Sequence, residues 1–174
     1  MKKVLVLFAH PYFEYSQASQ ELVSVYTDSS VADFRDLYED YPDFHIAAFR
    51  ERKRLVNYDA VFFHFPMLWF GMPPLLKLWI DEVFDMQWVG KNERGLLENV
   101  DAYILVTVGG SEEDFSKDGA YEMSAENYLK NLQQSLKLTG VNLRKFITVY
   151  DADDPRPEKM LDVKREIGEI LKRY

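Results

Sequence analysis

Three short segments of the 174-residue chain carry side chains able to handle a ligand. The first, "HPYFEYSQAS", places His10 ahead of Ser16, Gln17, Ala18 and Ser19. Serine at the start of an amphipathic run caps a helix, and free N–H groups at a helix N-terminus favour an anion such as a phosphate. His10 could add a positive or donor contact there. Ser16 reads equally as a plain helix cap, and His10 as a satisfied buried histidine. The second segment, "PMLWFGMPP" (66–74), offers Pro66, Met67, Leu68, Trp69 and Phe70 as a broad apolar surface suited to a planar aromatic ligand. Ordinary core or interface packing explains such a cluster as well. The third runs Thr107, Val108, Gly109, Gly110, Ser111, where paired glycines let backbone approach a ligand closely or simply form a turn. Together the three describe a ligand with a phosphate at one end and a flat ring at the other, a flavin mononucleotide. Neither G-x-x-x-x-G-K-[ST] nor G-x-G-x-x-G occurs, which argues against a P-loop or a Rossmann-type dinucleotide site.

The elements that must position these segments follow from the apolar pattern. "KVLVLFA" (3–9), "DAVFFHF" (59–65) and "VDAYILVTV" (100–108) are continuous apolar runs, as buried parallel strands require. "VADFRDL" (31–37) and "RKFITVY" (144–150) complete five strands. Between them lie helical patterns: one from Ser16, a surface helix with a basic middle over 46–58, and one opened by Pro73 and Pro74. The fourth runs from about Ser124 to Gly140 with Leu129, Leu132 and Leu136 on one stripe, and a last one turns Met160, Val163, Ile167 and Leu171 inward. Lys77 and Asp81 form an outward i,i+4 pair. Strand–helix alternation over 1–174 predicts one doubly wound α/β domain with a five-stranded parallel sheet and helices on both faces. In such a sheet, ligands bind beyond the carboxyl ends of the strands, where the three segments fall.

Composition narrows the partners. A formal net charge of -8 argues against nucleic acid or an anionic membrane surface. The chain has no cysteine, so disulfides, thiolate catalysis and cysteine-type metal centres are excluded, and no metal is expected. The stretch 60–80 is nearly apolar enough for a membrane span, but Pro66, Pro73, Pro74, His64 and Lys77 interrupt it. The expected location is the cytoplasm.

These residues also carry a resemblance. "AHPYFEYSQAS" resembles the "AHPxxxxSxAN" opening of the flavodoxin-like NAD(P)H:quinone oxidoreductases. "FPMLWFGMPPLLKLWIDEVF" is similar to their "P-M-x-W-x-x-P-x-x-L-K-x-W-I-D-x-V-F" signature, and "VTVGGSEEDF" to their "TTGG" loop. "LYEDYPDF" (37–44) resembles a segment of the branch that holds the ancillary flavoproteins of potassium efflux systems and the general stress oxidoreductases. The resemblance implies a flavodoxin-like homodimer binding FMN, or FAD as in longer relatives. NAD(P)H would be the co-substrate and a quinone or similar two-electron acceptor would complete a ping-pong cycle. It puts Ser16 to Ser19 on the phosphate with His10 beside it, Met67 to Phe70 along the isoalloxazine, and Thr107 to Ser111 at its pyrimidine edge. An alternative role is a flavin-binding regulatory subunit docked on a potassium efflux transporter, at the inner face of the membrane.

Three departures from the family pattern stand out. Ser19 replaces the family's Asn, and Gly90 in "QWVGKNERG" (87–95) stands where many relatives carry a Tyr. Where quinone reductases place a Tyr and a His after the double glycine, this chain has Phe115 and Tyr121. Tyr121 is the candidate catalytic group: a phenol can donate a hydrogen bond to reduced flavin but, unlike imidazole, does not become a cation. Plain packing is the competing role.

Overall fold

The computed structural model describes residues 3–85, 87, 89 and 97–174, so the departure at Gly90 lies outside the described residues. Five strands form the sheet: β1 (Val4–Phe8), β2 (Ala32–Asp36), β3 (Ala60–Pro66), β4 (Asp101–Thr107) and β5 (Asn142–Val149). All pairings are parallel, in the order β2-β1-β3-β4-β5. The chain leaves β1 first to one side and then to the other, so the connections diverge between β1 and β3. That divergence is the topological switch point where such sheets take ligands.

Strand alternation sends successive side chains to opposite faces. Leu5, Leu7, Val61, Phe63, Ile104 and Val106 join one core, against α2 (Leu37–Asp40), α3 (Ala48–Leu55), α4 (Pro74–Val83), α5 (Ala125–Tyr128) and α6 (Lys130–Thr139). Val4, Val6, Phe62, Tyr103 and Leu105 join the other, against α1 (Gln17–Thr27) and α7 (Pro157–Leu171). Both faces are covered, which is why β1 and β3 read as unbroken apolar runs. Among the described residues no helix is long and apolar enough to cross a membrane.

The helix boundaries follow local chemistry. Pro74 stands in the first turn of α4, where a missing N–H costs nothing, and Lys77 pairs with Asp81 on its outer face. Gly140 ends α6 with φ 91°, a left-handed conformation that a β-carbon would strain. The helix expected from Ser124 is instead two pieces, α5 and α6, broken at Leu129 with φ −102°. Ser124 caps the first piece, its Oγ accepting from the Asn127 N–H.

The helix with the basic middle is α3, and its one acid is not at the surface. Glu51 is fully buried. Its Oε1 accepts from Tyr41 Oη and Arg54 Nη1, both at 2.6 Å, and its Oε2 from Trp79 Nε1 at 3.3 Å. This carboxylate ties the segment 37–44 to α3 and α4. Hydrogen bonds and a cation compensate its loss of hydration.

Candidate functional site

The loops that follow β1, β3 and β4 come together at the carboxyl edge, joined by a fourth, the loop after β5. A cavity of about 280 Å³ is lined by His10, Tyr12, Tyr15, Ser16, Pro66, Met67, Leu68, Thr107, Gly109, Ala152 and Asp153. A second, of about 400 Å³, is lined by Met67, Trp69, Phe70, Val108, Gly109, Gly110, Phe115 and Tyr121. Met67 and Gly109 belong to both, so the two adjoin as a cleft with a polar end and an aromatic end.

The polar end is built at the start of α1. Ser16 has extended backbone and caps the helix, its Oγ accepting from the Ser19 N–H at 3.2 Å. Gln17 is exposed, whereas Ala18 is buried and its N–H donates to Ala152 O at 3.4 Å. Ser19 is fully buried and its Oγ has no partner. Thus Ser16 faces the cleft, while Gln17, Ala18 and Ser19 shape the helix end without lining it. The helix dipole favours an anion at the Ser16 end of the cleft.

His10 lines the same end, but not as a cation. Its Nδ1 accepts from the Tyr12 N–H at 3.2 Å, so the neutral ring carries its proton on Nε2. Burial pushes its pKa down to about 4. Of the positive or donor contact anticipated from the sequence, the neutral donor remains, because a ring packed beside Phe8 and Phe13 is poorly hydrated when charged. Among the described residues no lysine or arginine lines this cavity.

The aromatic end depends on an unusual turn. Leu68 and Gly71 exchange both backbone hydrogen bonds, at 2.9 and 3.0 Å, around Trp69 (φ 48°) and Phe70 (φ 63°). Consecutive left-handed residues belong to mirror-image hairpin turns, which normally take Asn-Gly. Two bulky aromatics there cost on the order of 1 kcal/mol each. The turn leaves Trp69 96% exposed and brings Phe70 against Tyr121, ring centroids 5.3 Å apart. Strain of this kind is retained where the surroundings over-determine it, and here it supports the cavity wall.

The opposite wall is the double glycine. Thr107 and Val108 are buried, and Val108 donates to Val149 O at 2.9 Å. A β-carbon at Gly110 would lie 2.9 Å from Tyr121 Cε2 and 3.1 Å from Phe115 Cε2, so only glycine fits behind these rings. Among the described residues, the N–H groups of Gly109, Gly110, Trp69 and Phe70 donate to no protein acceptor. Ser111 behaves otherwise than expected: its N–H and Oγ both bond Asp114 Oδ2, at 2.9 and 2.8 Å, and it lines neither cavity. Those bonds hold the Asp114 carboxyl below its ordinary pKa.

Tyr121 lines the aromatic cavity, packed on Phe115 with centroids 4.7 Å apart. Its N–H bonds Asp114 O at 2.9 Å and its carbonyl accepts from Tyr128 Oη at 2.6 Å. Its backbone is fixed from both sides, so packing and ligand contact are both served by one placement.

The loop after β5, absent from the sequence-derived site, contributes Ala152 and Asp153. "DADDPRP" (151–157) has no glycine, aromatic or hydroxyl signal, and only topology brings it to the cleft. Asp151 and Ala152 are anchored by N–H bonds to Gly110 O and Val108 O, at 3.1 and 3.0 Å.

Comparison with known proteins agrees with the fold. A family model described as "Flavodoxin-like fold" matches residues 2–172. General stress protein 14 of Bacillus subtilis is 28% identical over 169 residues, 97% of each chain. The crystal structure of a general stress protein 14 from Treponema denticola in complex with FMN aligns with a TM-score of 0.86 at 25% identity, covering 98% of each chain. An NADPH-quinone reductase from P. pentosaceus aligns with a TM-score of 0.85 over 97% of each chain, at 17% identity, which shows a shared fold.

Proposed function

The chain belongs to the flavodoxin-like-fold family, and on that premise we propose that it is a flavin-dependent oxidoreductase that binds FMN and passes reducing equivalents from NAD(P)H to a quinone or similar acceptor. The observation that carries this reading is the divided cleft: a helix N-terminus capped by Ser16 at one end, an aromatic wall with free N–H groups at the other. Each half matches one half of a flavin mononucleotide, and the Treponema denticola relative holds FMN.

Bound flavin would supply the two-electron chemistry, taking electrons from NAD(P)H and yielding them to the acceptor in alternate visits. The protein's own part is placement and electrostatics. Ser16 and the start of α1 would hold the phosphate, with the Nε2 of His10 as a further donor. Pro66, Met67 and Leu68 carry the ligand from the polar end to the ring. Trp69 and Phe70 would hold the ring, and the N–H groups of Gly109 and Gly110 would be free to donate to its polar edge. Fixed backbone donors serve that role without reorganisation, as in an oxyanion hole. Tyr121 closes the wall beside Gly110 and would border the ring.

The homodimer belongs to this proposal. Trp69 exposed to 96% leaves the aromatic half unfinished on its outer side, and a second copy of the chain would cover it. The test is steady-state oxidation of NADH and NADPH by the FMN-loaded protein, with and without a quinone. Quinone-dependent turnover with parallel-line kinetics supports the reading, and turnover indistinguishable from free FMN sinks it. Co-purification with a potassium efflux transporter would favour the regulatory alternative.

A further inference from the structure

The two halves of the cleft meet at Met67 and Gly109, and one charged side chain stands at that junction. A β-carbon on Gly109 would lie 2.8 Å from Asp153 Oδ2, so this carboxylate overhangs the glycine. The residue before it, Ala152, accepts from the Ala18 N–H in the first turn of α1. Asp153 therefore sits between the helix N-terminus and the aromatic wall. We propose that Asp153 is a specificity-determining residue that accepts hydrogen bonds from the hydroxyls of a polyol chain linking the ligand's ring to its phosphate. This rests on the flavin reading above and adds that the cleft selects the ribityl chain as well as the ends.

The chemistry favours an acceptor at this point. A linear polyol spanning the cleft presents several hydroxyl donors, each of which loses water on binding. An ionised carboxylate is a pure acceptor with about four lone-pair sites, so one side chain can serve two neighbouring hydroxyls. Among the described residues Asp153 makes no ion pair. The nearby cations are engaged elsewhere: Arg156 with Asp151 at 3.7 Å, Lys159 with Glu112 at 4.0 Å. Thr107, buried in the lining of the same cavity, brings a further side-chain oxygen. A lone carboxylate in a phosphate-binding cleft is otherwise unfavourable, since among the described residues no lysine or arginine lines the cavity to offset it.

The test is binding by quenching of flavin fluorescence, using FMN, riboflavin and lumiflavin (the ring without the ribityl chain). Wild type, Asp153→Ala and Asp153→Asn are compared after circular dichroism confirms the fold. Asp153→Ala should weaken FMN and riboflavin alike by about tenfold, the scale of one hydrogen bond to a charged group, and leave lumiflavin unchanged. Asp153→Asn, which keeps one carbonyl acceptor, should fall between. Unchanged affinities in Asp153→Ala overturn the proposal while leaving the flavin function standing. So does tighter FMN binding with riboflavin unaffected, the signature of simple repulsion between carboxylate and phosphate. A wild-type protein that binds none of the three flavins overturns both.

Discussion

Replacing His64 with leucine should flatten the acid limb of the protein's stability. His64 lies on β3, fully buried, and neither Nδ1 nor Nε2 has a hydrogen-bond partner. Its ring packs edge-on to Phe8 and Tyr26, with centroids 5.0 and 5.8 Å away. Burial, and to a lesser degree His10, pushes its pKa from 6.5 down to about 3. The unfolded chain thus takes up the proton first as pH falls, and the native state loses stability through that uptake. The contribution of the neutral ring is fully present above about pH 6.5 and disappears as pH drops toward the folded pKa. At roughly 1.4 kcal/mol per unit, lowering the pH from 7 to 4.5 removes roughly 2–3 kcal/mol through His64 alone. Against a typical total of about 5–15 kcal/mol this is large. His10, with its pKa lowered to about 4, adds loss of the same sign and remains in the variant. Urea unfolding of wild type and His64→Leu at pH 7 and 4.5 measures the difference directly. The variant should be at least as stable at pH 7, since two unpaired nitrogens are gone, and should lose roughly 2–3 kcal/mol less on acidification. Identical losses in the two proteins would refute the reasoning.

Trp69→Ala should leave the melting temperature within about a degree, because a side chain 96% exposed packs on little, yet weaken flavin binding severalfold in a fluorescence titration. Equal losses of both would make Trp69 a packing residue instead. Gly110→Ala drives a β-carbon to 2.9 Å from Tyr121, whose backbone is bonded on both sides, so thermal unfolding should show a cost of roughly 1–3 kcal/mol together with weaker ring binding. Glu51→Ala strands Arg54 and the Tyr41 hydroxyl around a buried gap and should cost about 3 kcal/mol in denaturant unfolding, with FMN affinity in the remaining folded protein unchanged.

The sheet was legible because both its faces are covered. β1, β3 and β4 are apolar at nearly every position, and such runs leave little choice of element. Prolines at the start of α4 and the glycine after α6 marked their helices for steric reasons. The site was legible where chemistry is local: a serine cap, an aromatic cluster, a glycine pair. It was obscure where three-dimensional context decides. His10 left a positive or a donor contact open, and its surroundings decide for the neutral donor. Ser111 has the right position, but Asp114 three residues on captures both its donors. Glu51 sits in "FRERKRL", where nothing distinguishes a solvated acid from one buried beneath Trp79. Asp153 joins the cleft through the pairing of β5 with β4, a long-range fact that no short motif encodes.

The central claim is that the cleft at the β1–β3 switch point is a flavin site. The most direct measurement is the absorption spectrum of the purified protein, before and after incubation with FMN and with FAD, followed by extraction and identification of the bound cofactor. A yellow protein with the flavin bands, releasing FMN at about one per chain, is the predicted result. A protein that remains colourless and retains neither FMN nor FAD after gel filtration contradicts it.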